Sequence, residues 1–365
     1  MRVSLCANLA AFAALAAGCA QLAPAPPSPL VKKAPLVSPK EADQRIADST
    51  AMITLDPSNA NAFNDRGVSK FAKGDIAGAI ADLDAAIALN PRYTIAYRNR
   101  GLFKGQNHDL DGAIVDFDRA IALDPGFSEA YCDRGVDKSF KGDGKGAMAD
   151  YDEAIELDPR NADAFENRAV VKASNGDKAG AISDCDRAVA LNPGFALAYF
   201  FRAAQRNNNK DFEGAILDYG QVIRLDPGNT KALVSRGIVR ESTGDWNGAV
   251  SDYTQAARLA PEDAFSNNAV AWALAVCPTD SIRNGANALQ HAEKACSATR
   301  WSDASFLDTY AAALAETGDF FGAIKWESKA LRLEKSSSDE KAESSRLSLY
   351  LQSKPYRESR RPVAN

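Results

Sequence analysis

Between residues 60 and 261 the small and apolar positions of the chain return every 34 residues. Leucine stands at 89, 123, 157, 191, 225 and 259, and a proline follows each two residues later, at 91, 125, 159, 193, 227 and 261. An earlier proline at 57 keeps the same interval. Fixed self-similarity of this length marks a stack of supersecondary units in place of one globular core. Each unit reads helix, turn, helix. After Pro125 a first helix, A, is predicted from about Ser128 to Lys141, and a second, B, from about Gly144 to Leu157. Asp75, Asp109, Asp143, Asp177, Asp211 and Asp245 head the six B helices. There a carboxylate accepts from the orphan N–H groups of the first turn and faces the positive end of the helix dipole. Gly74, Gly142, Gly176 and Gly244 precede four of them, as a left-handed helix end favours. His108 and Lys210 take the other two places, where looser turns are expected.

Gly-Ala recurs in the B helices at 78–79, 112–113, 146–147, 180–181, 214–215 and 248–249. A glycine inside a helix costs up to ~1 kcal/mol against alanine, so its recurrence predicts a close helix crossing that a larger side chain would block. Gly67, Gly101, Gly135 and Gly237, with Ala169 and Ala203, are expected to do the same on A, and the six leucines to fill the seam before each proline. Charge follows the period too. Arg66, Arg100, Arg134, Arg168, Arg202 and Arg236 on A face Asp82, Asp116, Asp150, Asp184, Asp218 and Asp252 on B. A ladder of ion pairs between neighbouring helices is predicted, with a structural role as the favoured reading. At 310 and 326 both positions change together, to Tyr310 and Trp326, as touching positions would.

The small-residue, aromatic, alanine and proline positions all fall in register with the tetratricopeptide repeat, and over residues 60–261 the chain closely resembles that family. The resemblance implies an all-α fold, a right-handed superhelix (α-solenoid) of helix-turn-helix repeats with a concave groove lined mainly by A helices. It further implies a protein or peptide partner in that groove and no cofactor. By the same analogy Arg98, Glu129, Asp163, Glu166, Leu197, Phe200, Phe201 and Lys231 are the candidate partner residues. Glu129, Asp163 and Glu166 make an acidic middle beside an apolar spot of Leu197, Phe200 and Phe201. That mixture suits a peptide or helix carrying both basic and apolar residues; a merely solvated face is the bland alternative.

Outside the regular repeats the register changes. Residues 41–56 match the second half of a repeat and predict a lone capping helix. Residues 262–335 read as two atypical hairpins, the first with five extra residues around "CPTDSIRN". Residues 336–365 read as a charged closing helix, about Asp339 to Gln352, and a loose tail. Cys277 and Cys296 invite a disulfide. In an antiparallel hairpin, however, Cys277 faces the start of the next helix near Gly285, and Cys296 lies eleven residues on. That is ~16 Å along the axis, beyond a disulfide's reach. Cys185 reads as a small buried hydrophobe.

Composition narrows the function. A formal net charge of −5 supplies no basic stripe for nucleic acid. The two histidines, His108 and His291, are far apart, which argues against a histidine-based metal site or acid/base pair. "GDGKGA" at 142–147 lacks the GxxxxGK(S/T) spacing and follows no strand. No GxSxG, HExxH or CxxC occurs, so a non-catalytic binding protein is expected. The N-terminal "MRVSLCANLAAFAALAAGCAQ" has an early Arg and an apolar run to Ala17, an export signal over residues 1–20. "LAAGC" at 15–19 resembles the lipobox of bacterial lipoproteins, with Leu15 one place early, which implies acylation of Cys19; ordinary cleavage near Ala20 is the alternative. Residues 21–40 form a proline-rich, semi-rigid tether. Together these features predict a scaffold for other proteins at the bacterial cell envelope, facing the periplasm. A carbohydrate- or cell-wall-binding envelope module and a cytoplasmic regulatory scaffold are the alternatives.

Overall fold

The computed structural model describes residues 38–333 and 337–358. The expected signal, Cys19, the tether up to residue 37 and the tail from 359 lie outside the described residues. Among those described, all regular structure is helical, eighteen helices in two compact units that meet in the chain between Phe195 and Ala196. In the first unit α1 (Pro39–Leu55) precedes four hairpins. These are α2 (Ala60–Ala72) with α3 (Ile76–Leu89), α4 (Thr94–Gln106) with α5 (Leu110–Leu123), α6 (Ser128–Phe140) with α7 (Gly144–Leu157), and α8 (Ala162–Ser174) with α9 (Lys178–Leu191). In the second unit α10 (Ala196–Asn208) pairs with α11 (Phe212–Leu225), α12 (Thr230–Thr243) with α13 (Trp246–Leu259), α14 (Ala264–Val276) with α15 (Gly285–Ala298), and α16 (Ala304–Thr317) with α17 (Phe320–Leu333). Helix α18 (Ser337–Leu351) follows. Within each unit the helices of a hairpin pack along their length, each B helix packs on the next A helix, and several successive A helices touch.

The hairpin turns explain the recurring aspartates. Each caps its B helix by accepting the N–H of the glycine three residues on, as Asp143 does from Gly146 at 2.9 Å. This corrects the role assigned to the Gly-Ala glycines. They sit at the third helical position, and a Cβ there would lie 2.1–2.3 Å from the capping carboxylate. The nearest atoms to such a Cβ belong to the cap, and at Gly248 the Arg240 side chain of the preceding A helix also stands 2.9 Å away. The crossing belongs to the neighbouring alanines, all fully buried, and to the A-helix glycines. At Gly237 a Cβ would stand 2.4 Å from the Tyr253 ring, and at Gly135 2.7 Å from Tyr151. The leucine expectation is also corrected. Leu89, Leu157, Leu225 and Leu259 are exposed, because each is the last residue of its helix and lies beyond the packed layer.

His108 and Lys210 do not loosen their turns. They adopt φ of 64° and 65°, the left-handed region that Gly74, Gly142, Gly176 and Gly244 occupy in the other turns. Asp109 N–H and Asp211 N–H still donate at 2.9 Å to Lys104 and Arg206 carbonyls, as Asp143 N–H does to Lys138. The side chains are tolerated at a conformational cost. His108→Gly is therefore expected to stabilise the protein by about 0.5–1 kcal/mol, read as a higher urea midpoint at unchanged slope.

The ion-pair ladder is present at every predicted rung. Arg134 grips Asp150 with two hydrogen bonds, Nε to Oδ2 at 3.0 Å and an Nη to Oδ1 at 2.6 Å; the five other pairs repeat this fork. Two further contacts extend it. A second cation one turn along A, Lys138 for Asp150 at 2.8 Å, reaches each aspartate. In the first unit Arg100, Arg134 and Arg168 also reach back to Asp84, Asp118 and Asp152 of the preceding B helix, at 2.6–2.8 Å. Burial works against the Arg134 charge, but Asp150 and Asp118 hold its guanidinium above the usual value. In the last hairpin Tyr310 and Trp326 take these places and meet edge to face at 5.6 Å.

In the second unit the turn between α14 and α15 spans residues 277–284, eight residues where the α2–α3 turn has three, 73–75. Cys277 and Cys296 are free buried thiols, and Cys185 is fully buried. The expectation of a loose tail from the end of the closing helix fails over its first residues. Tyr356, Arg357 and Glu358 pack back onto the second unit, through Trp272, Glu316 and Val276.

Candidate partner-binding face

The A helices of the first unit carry four of the candidate residues, Arg98 on α4, Glu129 on α6, and Asp163 and Glu166 on α8. Arg98 is an ion-pair partner, its Nε 2.6 Å from Oδ2 of Asp133 on the next A helix. Burial opposes its charge, while Asp133 and, more weakly, Glu129 hold its guanidinium above the ordinary value. Two polar contacts have the same 35-residue separation: Asn99 donates to Asn64 at 2.9 Å, and Asn167 to the Cys132 sulfur at 3.7 Å. Successive A helices are thus joined by polar rungs. Glu129 and Asp163 are half-buried, whereas Glu166 is buried, only 3% exposed.

The residue that the sequence reading missed is Asp137. It lies on α6, one turn beyond Asp133, at the repeat position held elsewhere by Ser69, Phe103, Val171, Gln205 and Val239. That position is packed between helices, and Asp137 is 6% exposed. No hydrogen-bond or ion-pair partner holds its carboxylate among the described residues. Burial, and then the negative charge of Asp133, push its carboxyl up to about 7. The signal was available. Aligning the six repeats column by column makes Asp137 the one charged residue of its column.

In the second unit Leu197, Phe200 and Phe201 lie half-buried on α10, and Lys231 is exposed in the first turn of α12. Phe200 is partly a core residue, packing edge-on against Tyr219 at 5.3 Å. Among the described residues no group of three or more His, Cys, Asp or Glu side chains could hold a metal ion, and no helix is long and apolar enough to cross a membrane.

Asp-capped hairpins, small residues at each crossing and polar rungs between A helices define an all-α repeat solenoid. A sequence profile for the TPR repeat matches residues 141–176, and one for the tetratricopeptide repeat matches 64–127 and 197–264. The chain is a tetratricopeptide repeat protein. No curated protein sequence matches it. Among solved structures it is similar to a chain of the APC/C hetero-tetramer Cut9–Hcn1, at 16% identity and TM-score 0.57, covering 66% of this chain and spanning 47% of that one. It is also similar to PilW, a type IV pilus biogenesis factor, at 18% identity and TM-score 0.52, covering 57% of this chain and 96% of that one. Pseudomonas aeruginosa PilF gives the same identity and TM-score, over 57% and 94%. At these identities the likeness is one of fold.

Proposed function

We propose that this chain is a non-catalytic scaffold that docks a basic, partly apolar segment of another protein on its A-helix face. Asp137 carries the proposal. A largely buried carboxylate with no cation beside it among the described residues, at a position that is uncharged in the other repeats, is disfavoured in its charged form and is stabilised by a cation arriving from outside. Glu129 and Asp163, half-buried on α6 and α8, add negative charge to the same unit, which favours a lysine or arginine of the partner.

Asp137→Val separates the alternatives. With the folded carboxyl raised, the charged form is disfavoured in the native state, so stability is lost as pH rises through about 7. The variant is expected to be more stable than wild type at pH 8, by about 1–3 kcal/mol. It is also expected to lose at least tenfold in affinity for basic peptides selected on the wild type from a random library. Stabilisation with unchanged binding would make Asp137 a packing defect and overturn the reading.

Placement at the bacterial envelope is part of the same proposal and rests on the signal-like residues 1–20 and the lipobox-like Cys19. The mature N-terminal mass checks it: an acylated Cys19, lost together with membrane attachment in Cys19→Ala, is the expected result. An unprocessed Met1 in the cytoplasmic fraction contradicts it.

A further inference from the structure

In the second unit the residues after α18 do not leave the protein. Tyr356 lies against Trp272 of α14, ring centroids 6.0 Å apart. The Arg346 guanidinium of α18 sits 5.7 Å from the Trp272 ring and 5.6 Å from that of Tyr356. Arg357 forms an ion pair at 2.5 Å with Glu316 of α16. Glu358 donates its backbone N–H at 2.9 Å to the carbonyl of Val276, the last residue of α14. Trp272 falls at the repeat position of Val68, Leu102 and Ile238, so this contact is made on the A-helix face.

The subsite exists because the α14–α15 turn differs from the others. Regular A helices close their last carbonyls with a left-handed residue and a short turn. After α14 the chain instead runs extended at Cys277, with φ −49° and ψ 133°. The Val276 carbonyl, one of the orphan acceptors of a helix end, is left for an outside donor. The same surface offers an aromatic platform, the Trp272 ring. It also offers a carboxylate, Glu316, already oriented by Arg283 at 3.2 Å. An extended strand that places an aromatic ring, then a guanidinium, then a backbone N–H satisfies all three at once.

We propose that this end of the A-helix face is a recognition subsite for an extended aromatic–arginine segment of a partner protein, and that Tyr356–Glu358 fills it in cis as an internal competitor. The proposal rests on the reading that the A-helix face docks peptides, and it names one partner motif. The segment is short, and its contacts include the Arg357–Glu316 ion pair, the Tyr356 ring against Trp272 and Arg346, and the Glu358 backbone hydrogen bond, groups that an equivalent segment from another chain also presents. Binding in trans is weakened by the fraction of time the internal segment is seated.

The test uses the full chain. Tyr356→Ala, Arg357→Glu vacates the subsite. The probe is a fluorescein-labelled peptide, Ser-Lys-Pro-Tyr-Arg-Glu-Ser-Arg-Arg, the sequence of residues 353–361, read by anisotropy. The double variant is expected to bind it at least tenfold more tightly than wild type does, and adding Trp272→Ala is expected to abolish binding. Equal binding by wild type and double variant, or none by either, overturns the proposal. A circular dichroism melt accompanies the titration. If the double variant unfolds, Glu316→Arg replaces it, and a probe with Glu in place of its first Arg is expected to bind; no binding overturns the proposal. A wild-type dimer dissociated by the peptide would seat the segment on a second copy and overturn the cis assignment. The Asp137 experiment reads a different unit through its own variant, so failure here leaves that result standing.

Discussion

Arg134→Leu is expected to lower stability by about 2–4 kcal/mol, a fall in melting temperature of about 5–15 °C. The variant strands Asp150, whose side chain is only 5% exposed, without its bidentate partner. A fully widowed buried charge costs more, ~3–5 kcal/mol. Lys138, still 2.8 Å from Asp150, accounts for the discount. The contact to Asp118 adds little, because that carboxylate is more than half exposed. Replacing both members, in Arg134→Leu, Asp150→Leu, is expected to cost less than the single change, since no acid is left buried. Thermal melts of the single and double variants check this. An Arg134→Leu protein that melts with the wild type would remove the ladder from any account of the fold.

The second large effect is a pH dependence confined to the last hairpin. Glu327 on α17 is fully buried, and no described N–H group donates a hydrogen bond to its carboxylate oxygens. Asp308 of α16 and Arg346, Glu343 and Tyr350 of α18 face it. Arg346 is committed to Asp308 at 2.6 Å and stands 3.5 Å from Glu327. Burial first, and then the charges of Asp308 and Glu343, push the Glu327 carboxyl well above its ordinary 4.5, against the pull of Arg346. A raised folded value means that the stabilisation is complete below the unfolded value and is lost as pH rises through the folded one. The slope reaches at most about 1.4 kcal/mol per pH unit. Glu327→Gln, which keeps the shape of the protonated acid, is expected to flatten that slope and to be the more stable protein at pH 8. All four tryptophans, Trp246, Trp272, Trp301 and Trp326, belong to the second unit, so urea melts followed by tryptophan fluorescence report that unit selectively. Identical slopes for wild type and variant would refute the assignment.

What the chain's repetition makes visible is whatever repeats. The hairpin bounds, the capping aspartates and the Arg–Asp pairs each occur six times, and comparing one repeat with another separates structural positions from incidental ones. Repetition is blind to the partner of a recurring residue, however. The glycines of the Gly-Ala pairs look like crossing residues from spacing alone; only the fold of the aspartate carboxylate over the third helical position places them in a cap. His108 and Lys210 look like departures, yet the helix-end hydrogen bonds hold the same backbone at a conformational cost. Of the candidate face, the acidic character was legible. The pairing of Arg98 with Asp133 was not, because that contact spans 35 residues rather than the repeat length. The return of Tyr356–Glu358 was illegible for a plainer reason: it happens once, and depends on a turn with no counterpart among the described residues.

In the first unit Arg100, Arg134 and Arg168 each grip one aspartate in their own repeat and another in the repeat before. This makes the stack divisible only in whole steps. Excising residues 128–161, a full 34-residue period, would bring Arg168 to Asp118 in the place of Arg134 and recreate the contact that was cut out. Removing one residue more or fewer turns every later helix face by ~100° relative to the preceding repeats and points the Arg168 guanidinium away from Asp118, while its pair with Asp184 in the same repeat is kept. Lineages carrying this chain can therefore lengthen or shorten it by duplication or loss of complete repeats, each daughter inheriting an intact ladder, while intermediate lengths are weeded out.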